Sequence, residues 1–421
     1  MRETNIKTLG CKLNIYESEA IRVLCKNENL NDATIINTCS VTAEAVKKAK
    51  KSVRKAHRAD PEKLIVVTGC AAQTEPETFS NMQEVDLVVG NAAKLSPITW
   101  RNLRNKTAVK PPQKIHVNDI MKVSKLDPVP ISNLGKRTRA YVQIQNGCDH
   151  RCTFCIIPYG RGNSRSVTAK SIINQIQKLV GNGFQEVVLT GVDITAWGND
   201  LISRPNLGTL VKQILNKVPN LFRLRLSSID SIEVDEKLSD IILNEPRFMP
   251  HLHLSLQSGD NLILKRMKRR HSREAAIRFC NMVQDKRPEM TFGGDIIAGF
   301  PTETEKMFKN SLSLISECNL TWLHIFPFSA RQGTPASRMP QVSSEKIKFR
   351  AKKLRELAKL QVIKHLEFNV GKIHSILIEG KGIGRTESFA EVIVSPNLKP
   401  GKIESLFVES HNDLQLISRN R

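Results

Sequence analysis

The first hundred residues alternate between short apolar runs and polar stretches of helical period. The apolar runs are rich in Ile, Val and Leu, and they read NIKTLGC, ATIINTCS, LIVVTGC and VDLVVGN. Thr42 can cap the helix after the second run, and Glu44 favours its first turn. The apolar positions of that helix are Val46, Ala49, Val53 and Ala56. This alternation predicts a parallel sheet with crossover helices in residues 1–102.

A second, longer alternation follows residues 103–136, which are polar, contain several prolines and are predicted to be a linker. Its apolar runs are AYVQIQNGC, QEVVLTGVDI, FRLRLSSID, HLHLSLQSG, GGDIIAGFP and WLHIFPFSA. They are spaced by about 30 to 45 residues, the length of one βαβ unit. Right-handed crossovers would curl six such units into an open, partial (β/α)6 barrel in residues 137–342.

The remaining residues predict a basic helix and a small barrel. Residues 343–368 form a strongly basic connecting helix with an apolar stripe. Residues 369–421 contain short runs such as GKIHSILIEG, separated by Gly, Asn or Ser turns. A small antiparallel β-barrel fits this pattern, and such barrels often bind single-stranded nucleic acid. The predicted fold class is therefore α/β, with an N-terminal parallel α/β domain, a central partial barrel and this C-terminal β-barrel.

Composition adds a partner and a compartment. The chain has 421 residues and a formal net charge of +23, which favours a polyanionic partner such as nucleic acid. The N-terminus lacks the apolar run of a signal peptide, and no stretch is apolar enough to span a membrane. Nine cysteines in such a chain indicate a reducing cytosol, where metal ligands and core thiols are commoner than disulfides. We expect a cytoplasmic protein with no membrane partner.

The segment GCDHRCTFCIIPYGRG holds three cysteines, Cys148, Cys152 and Cys155, with no fourth nearby. A cubane 4Fe-4S cluster has four irons, each of which takes one thiolate. Three thiolates would leave one iron open to an outside ligand, so the missing cysteine is itself the functional feature. The alternative is a zinc site completed by His150, which would give no reason for the repeated βα units that follow.

A second trio, Cys11, Cys39 and Cys70, lies in the N-terminal domain. Each follows a different predicted strand, and the carboxyl ends of parallel strands meet at one edge of a sheet. We therefore expect a second site of three thiols, again with one iron left open. The alternative is three unrelated buried cysteines. The other cysteines are expected to be core or surface thiols; they are Cys25, Cys280 and Cys318.

The three-cysteine loop resembles that of the radical SAM superfamily, and CTFCIIPYGRG narrows the resemblance to methylthiotransferases. The segments TLGCKLNIYESEA, INTCSVTAEAVKKAKKSVR, VVTGCAAQ, HLHLSLQSGDNLILKRMKRRHSRE and DIIAGFPTETEKMF are similar to the subfamily that methylthiolates N6-threonylcarbamoyladenosine in tRNA. Two departures from that pattern are Ser255 and Thr302, where many relatives have proline and glycine. The sister subfamilies, which act on isopentenyladenosine in tRNA or on a ribosomal-protein aspartate, remain alternatives.

The resemblance implies a reaction with two 4Fe-4S clusters and S-adenosylmethionine (SAM). Carbon 2 of the adenine next to the anticodon (adenosine 37) would gain a methylthio group. One SAM would methylate a sulfur at the cluster of the N-terminal trio. A second SAM, at the catalytic cluster of the three-cysteine loop, would yield the 5′-deoxyadenosyl radical. The implied partners are the tRNA anticodon stem-loop, an external electron donor and a sulfur source.

Candidate SAM contacts lie where the barrel strands end: Gly191, Asp193, Ser255, Gln257 and Asp295. Candidate RNA contacts lie in LKRMKRRHSRE, and they are Lys265, Arg266, Lys268, Arg269, Arg270 and Arg273. The C-terminal barrel resembles a TRAM domain, whose role in that family is to hold tRNA. The alternative from another functional class is a non-catalytic, zinc-dependent RNA-binding protein.

Overall fold

The computed structural model describes residues 4–105, 113–132, 135 and 137–419. Its N-terminal unit is a five-stranded parallel sheet with strands in sequence order. The strands are β1 (Asn5–Thr8), β2 (Ala33–Thr38), β3 (Leu64–Gly69), β4 (Leu87–Val89) and β5 (Ile115–His116). The helices are α1 (Lys12–Asn27), α2 (Ala43–Ala59), α3 (Cys70–Thr74), α4 (Pro76–Ser80) and α5 (Pro97–Asn105). The predicted parallel α/β fold is thus confirmed.

Helix α2 shows how the sequence produces these elements. The Thr42 hydroxyl accepts a hydrogen bond from the backbone N–H of Ala45 at 3.1 Å, as an N-cap does. Its predicted apolar face is buried at Val46, Ala49 and Val53. These residues pack on one face of the sheet, while α1 packs on the other, so strand β2 is buried along its whole length. Burial on both faces explains why the strands read as continuous apolar runs.

The segment 103–136 is more structured than a linker, which corrects our prediction. Helix α5 continues to Asn105, and β5 pairs with β4 as the fifth strand of the sheet. Val129 and Ile131 are buried, and the Tyr16 hydroxyl donates to the Val129 carbonyl at 3.1 Å. A two-residue strand is too short to leave a period in the sequence, so the pattern could not reveal it. Residues 106–112, 133–134 and 136 of this segment lie outside the described residues.

The central unit is the expected open barrel of six parallel strand positions. Its strands are β6 (Arg139–Gln143), β9 (Glu186–Thr190), β10 (Arg223–Leu226), β11 (Ser228–Ile229), β12 (His251–Gln257), β13 (Thr291–Ala298) and β14 (Leu320–Pro327). One residue separates β10 from β11, so these two pieces share the third position. A short antiparallel pair, β7 (Gln145–Asn146) and β8 (Arg165–Ser166), follows the carboxyl end of β6.

Seven α-helices of the described residues accompany the strands of this barrel. They are α6 (Ile157–Arg161), α7 (Ala169–Gly181), α8 (Leu207–Lys217), α9 (Glu236–Asn244), α10 (Asn261–Arg266), α11 (Arg273–Lys286) and α12 (Glu305–Glu317). Cys25, Cys280 and Cys318 are all buried in the core that the barrel shares with the N-terminal unit.

Every helix in the described ranges is too short or too polar to cross a lipid bilayer.

The basic helix α13 (Ser344–Asn369) leads into a closed five-stranded barrel. Its strands are β15 (Ile373–Gly380), β16 (Ile383–Arg385), β17 (Glu391–Ile393), β18 (Ile403–His411) and β19 (Leu416–Ser418). Neighbours are antiparallel except for β17 and β19, which are parallel. The predicted small antiparallel β-barrel is thus confirmed, with one parallel pair. An odd number of strands cannot close a ring with every pair antiparallel, so one parallel pair is required.

The C-terminal barrel is docked into the base of the central barrel. The Arg225 guanidinium donates to the carbonyls of Thr386 and Glu387, and the Trp322 indole donates to that of Ser388. Phe389, the next residue, stacks on the His251 ring at 4.7 Å between centroids. The loop before β17 therefore closes the central barrel at the amino-terminal ends of its strands.

Candidate active site

The three cysteines of the radical SAM loop lie between β7 and α6. Gly147 has φ +75°, and a Cβ there would lie 1.9 Å from the carbonyl oxygen of Asn163, so only glycine fits. The Cys148 N–H donates to the Gly162 carbonyl at 3.1 Å, and the Cys155 N–H donates to the Cys152 carbonyl at 3.0 Å. A short segment with its own hydrogen bonds thus brings the three thiols together.

The surroundings of these thiols fit a bound cationic cluster. Burial raises the pKa of the Cys155 thiol to about 12, so a thiolate there needs compensating positive charge. The Arg269 guanidinium lies 3.8 Å from the Cys152 sulfur and supplies part of it. Asp193 lies 3.7 Å from the Cys148 sulfur. The His150 imidazole lies 3.1 Å from this carboxylate.

The second trio meets at the carboxyl edge of the N-terminal sheet. Cys11 caps α1, Cys39 follows β2, and Cys70 begins α3 directly after β3. A Cβ on Gly10, whose φ is +103°, would lie 2.8 Å from the Cys39 Cβ, so the first two loops are in close contact. Burial, together with the charges of Cys70 and Cys11, raises the pKa of the Cys39 thiol to about 12. Cys70 is buried, Cys39 is partly buried and Cys11 is exposed. Three thiols that meet at one edge in this way suit a metal cluster better than three unrelated buried cysteines.

Arg161 connects the two trios, and the sequence analysis missed it. Its Nε lies 3.1 Å from the Cys70 sulfur, Nη1 lies 2.8 Å from Glu17 Oε1, and Nη2 lies 2.6 Å from Asn14 Oδ1. Lys94 forms a second ion pair with Glu17 at 2.6 Å. Burial alone would raise the pKa of Glu17, but these two cations hold it down at about 2. In the sequence, Arg161 stands between two glycines directly after the radical SAM loop, and this GRG motif was the signal that could have identified it.

The two trios face a shared region. Cys155 and Cys70 lie close enough for their charges to interact, and a Cβ on Gly160 would lie 3.5 Å from that of Cys70. A cavity of about 150 Å³ opens between the two units, lined by Val41, Thr42, Phe154, Gln257, Asp295, Ile297, Phe326, Pro327, Phe328 and Ser329. Near the trios, the buried Ser40 Oγ and Asn91 Oδ1 have no hydrogen-bond partner among the described residues. Orphaned buried polar atoms beside candidate ligand thiols are expected where a further group binds.

The five candidate SAM residues lie around the barrel mouth in different settings. Asp295 and Gln257 line the cavity, and Asp193 lies at the radical SAM loop. A Cβ on Gly191 would lie 2.8 Å from the Gln145 carbonyl oxygen, so its role in packing is plain. The Ser255 carbonyl accepts from Arg269 at 2.8 Å. SAM binding by these residues stays a prediction.

RNA binding by the basic segment after β12 stays a prediction. Lys265, Lys268 and Arg270 are exposed. All four arginines contact other residues of the protein. Arg266 donates to Thr302, Arg269 and Arg270 form ion pairs with Asp230 and Glu233, and Arg273 pairs with Glu317 and donates to backbone carbonyls. A run of arginines in a sequence does not reveal carboxylates that are distant in the chain.

Comparisons with known proteins agree with this architecture. The chain matches the Radical SAM superfamily over residues 142–315 and the Uncharacterized protein family UPF0004 over residues 3–90. A solved structure with a similar fold is the radical SAM methyltransferase TsrM from Kitasatospora setae. It is 14% identical with a TM-score of 0.54, over 80% of this chain and 77% of that chain.

Two curated relatives are similar over almost their whole length. The chain is 48% identical to threonylcarbamoyladenosine tRNA methylthiotransferase MtaB of Rickettsia prowazekii, over 94% of this chain and 93% of the relative. It is 32% identical to tRNA-2-methylthio-N(6)-dimethylallyladenosine synthase of Neorickettsia sennetsu, over 99% and 92%. The chain therefore belongs to the MtaB-type methylthiotransferase family of radical SAM enzymes.

Proposed function

We propose that the chain converts N6-threonylcarbamoyladenosine, at adenosine 37 of tRNA, to its 2-methylthio derivative. The observation that carries the proposal is the closeness of the two cysteine trios, with Arg161 of one loop 3.1 Å from Cys70 of the other. Carbon 2 of adenine bears an unreactive hydrogen, so its exchange for sulfur needs a radical source and a sulfur donor side by side. The name of the relative that is 48% identical supports this substrate.

Membership in the radical SAM superfamily implies one 4Fe-4S cluster and SAM. We assign that cluster to Cys148, Cys152 and Cys155, and a second 4Fe-4S cluster to the N-terminal trio. When bound, these groups would supply a 5′-deoxyadenosyl radical at the first site and a methylated sulfur at the second. The role of the protein is to orient the reactants and exclude water. Arg269 and Arg161 would offset the negative charge of the thiolates.

The remaining site residues follow from this assignment. Asp193, near Cys148, and Asp295 and Gln257, in the cavity wall, are proposed to position SAM, together with Gly191 and Ser255. The net charge of +23 supports binding to the tRNA anticodon stem-loop, and Lys265, Lys268 and Arg270 are the exposed candidates in the basic segment. A loop base is easier to unstack than a paired one. We place the reaction in the cytoplasm, with an external electron donor and sulfur source.

Mass spectrometry of tRNA nucleosides tests the proposal. A strain without this protein should lose 2-methylthio-N6-threonylcarbamoyladenosine and accumulate the unmethylthiolated nucleoside. The wild-type chain should restore it, whereas a Cys39→Ala chain should not. Loss of the methylthio derivative of isopentenyladenosine would assign the chain to the sister tRNA subfamily. Intact tRNA nucleosides, with a ribosomal-protein aspartate left unmodified, would assign it to the other.

Anaerobic purification tests the cofactor assignment. Two 4Fe-4S clusters should give a brown protein with about eight irons and eight sulfides per chain, because each cluster holds four of each. Replacing one trio by alanines should halve both values. A colourless protein that contains zinc would instead support the non-catalytic RNA-binding alternative.

A further inference from the structure

The lumen of the central barrel contains a cluster of cations around one aromatic ring. The ring is that of Phe389, and four charged groups lie within 6 Å of its centroid. Lys12 Nζ is at 5.9 Å, and the guanidinium carbons of Arg139, Arg225 and Arg385 are at 5.1, 5.2 and 4.7 Å. So many positive charges in one enclosed place need anions to balance them.

The three arginines have such anions. Arg139 pairs with Glu379 at 2.9 Å, and Arg225 pairs with the buried Glu186 at 2.9 Å. Arg385 pairs with Glu379 at 3.1 Å and with a second carboxylate, that of Glu391, at 2.9 Å. The carboxylates at the base of the lumen are thus already used by the arginines.

Lys12 is different. Neither an ion pair nor a hydrogen bond joins its ammonium to any residue in the described ranges. Asp295 attracts it, but that carboxylate already accepts from His253 at 2.9 Å and contacts His324 at 3.1 Å. Lys12 therefore presents an unpaired positive charge to the lumen. It is also the first residue of α1, next to Cys11 of the N-terminal trio.

A second unpaired polar group faces the same lumen from strand β6. Alternate residues of a strand share one face, and Arg139 of β6 reaches Phe389, so Gln143 is on the lumen side as well. Gln143 is 2% exposed, and neither its amide oxygen nor its amide nitrogen has a partner among the described residues. A buried amide without partners is costly unless a ligand satisfies it.

Asp295 links these groups to the site of the reaction. Its carboxylate lines the cavity between the two cysteine loops, and it also attracts Lys12. A group bound in that cavity therefore contacts the same carboxylate that attracts Lys12. The Phe389 loop closes the base of the lumen, and such a blind end suits a side group of one nucleotide rather than a strand of RNA.

We propose that this lumen binds the threonylcarbamoyl group of the substrate, with Lys12 pairing with its carboxylate and Gln143 with its urea. The inference rests on the proposed function, and it names the residues that select the substrate. The threonyl carboxylate is the one anionic group on the modified base. Its urea has an N–H donor and a carbonyl acceptor, and the Gln143 amide has one of each kind.

Binding of two anticodon stem-loop RNAs to the cluster-loaded protein tests the proposal. One carries N6-threonylcarbamoyladenosine, and the other carries the same base with its carboxylate converted to a neutral amide. A hydrogen bond to a charged group predicts that the wild-type protein binds the amide about 10- to 100-fold more weakly. Equal affinity for the two RNAs would overturn the proposal, and this comparison needs no variant.

Variants then locate the charge. Lys12→Met should weaken binding of the acid RNA to the level of the amide RNA, and Lys12→Arg should restore part of the preference. Lys26→Met, at the exposed end of the same helix, is the matched control and should behave as wild type. Gln143→Leu should weaken both RNAs equally because both keep the urea. A Lys12→Met protein that still prefers the acid RNA would overturn the assignment of Lys12.

Other sources of the anion give different results. Equal weakening of all RNAs by Lys12→Met, including one with unmodified adenosine, would assign Lys12 to a phosphate and overturn the proposal. Weaker SAM binding with an unchanged acid preference would assign it to the carboxylate of SAM, with the same consequence. The proposed function fails separately, if the wild-type protein methylthiolates neither modified RNA. Iron and sulfide analysis of each variant confirms that the clusters are loaded.

Discussion

The two cysteine trios are built in opposite ways. Cys148, Cys152 and Cys155 belong to one short loop whose own hydrogen bonds define its shape. Cys11, Cys39 and Cys70 come from three separate loops, which meet because three parallel strands end at the same edge. The first site is therefore a local structure, whereas the second exists only when the whole sheet is folded.

The distributed trio also depends on the neighbouring unit. Arg161 follows the local trio in the chain, yet its Nε lies 3.1 Å from the Cys70 sulfur, and its guanidinium is held by Glu17 and Asn14 of α1. The contacts of Arg161 thus both join the central unit to the N-terminal unit and balance the charge at the second site. Mutations that disturb the sheet or this contact should therefore disrupt metal binding at the N-terminal trio and leave the radical SAM loop intact.

Removing one ligand from each trio should give the largest contrast. Cys152→Ala should abolish reductive cleavage of SAM, because the cluster proposed for Cys148, Cys152 and Cys155 would be the one that binds SAM. Cys39→Ala should keep 5′-deoxyadenosine production but yield no methylthiolated RNA. Liquid chromatography of both products after chemical reduction measures this. If both variants lost SAM cleavage equally while the radical SAM cluster remained loaded, the two sites would not have separate roles.

The second-largest contrast between the two trios should come from replacing Arg161. Arg161→Met leaves Glu17 buried with Lys94 as its remaining ion-pair partner, and breaking a buried charge cluster costs about 3–5 kcal/mol. Urea unfolding should show that loss, and iron should be lost from the N-terminal site while the radical SAM cluster stays bound. Arg58→Met, on the exposed face of α2, is the control and should change neither value. Equal iron loss from both sites would show that they are not independent.

The local site was predictable from the sequence, and the distributed one was predictable only through the fold. Cys39 and Cys70 stand directly after apolar runs, so recognising the strands was enough to bring them together. The cap at Thr42 was equally visible because caps act over a few residues. Signals of this kind are local, and they gave the order and type of most elements.

Contacts between distant segments left no such signal. The pairing of Arg273 with Glu317, and the insertion of Phe389 into the barrel base, join residues that no periodicity relates. The sequence likewise did not reveal the carboxylates that pair with Arg269, Arg270 and Arg273 of the predicted RNA-binding segment. The strand β5 was missed because two residues carry no period. The sequence could thus place the thiols, but not the charges that surround them.

The buried ion pairs of Glu17 with Arg161 and Lys94 predict a pH dependence of the stability. Its pKa is about 2 in the folded protein against an ordinary value of 4.5, so its stabilising effect is present above pH 4.5 and is lost as the pH falls toward 2. That shift corresponds to about 3 kcal/mol. Acid unfolding of wild type and Glu17→Gln should therefore converge at low pH, with wild type more stable near neutrality. Glu62→Gln, at an exposed position, is the control. A gap that is independent of pH would show that the charge of Glu17 does not stabilise the fold.

The smallest effect should come from helix caps, and it too should distinguish the two trios. The Thr42 hydroxyl caps α2, directly after the Cys39 loop, and the Thr168 hydroxyl caps α7 in the central barrel. Each Thr→Ala change should cost about 1 kcal/mol, the usual value of an N-cap hydrogen bond. Thr42→Ala should also speed iron loss to a chelator from the N-terminal site, because fraying of α2 loosens Cys39. Thr168→Ala should lower stability by a similar amount and leave both iron-release rates unchanged. If the two caps affected iron release alike, the distributed site would depend on global stability rather than on the local order of its strand ends.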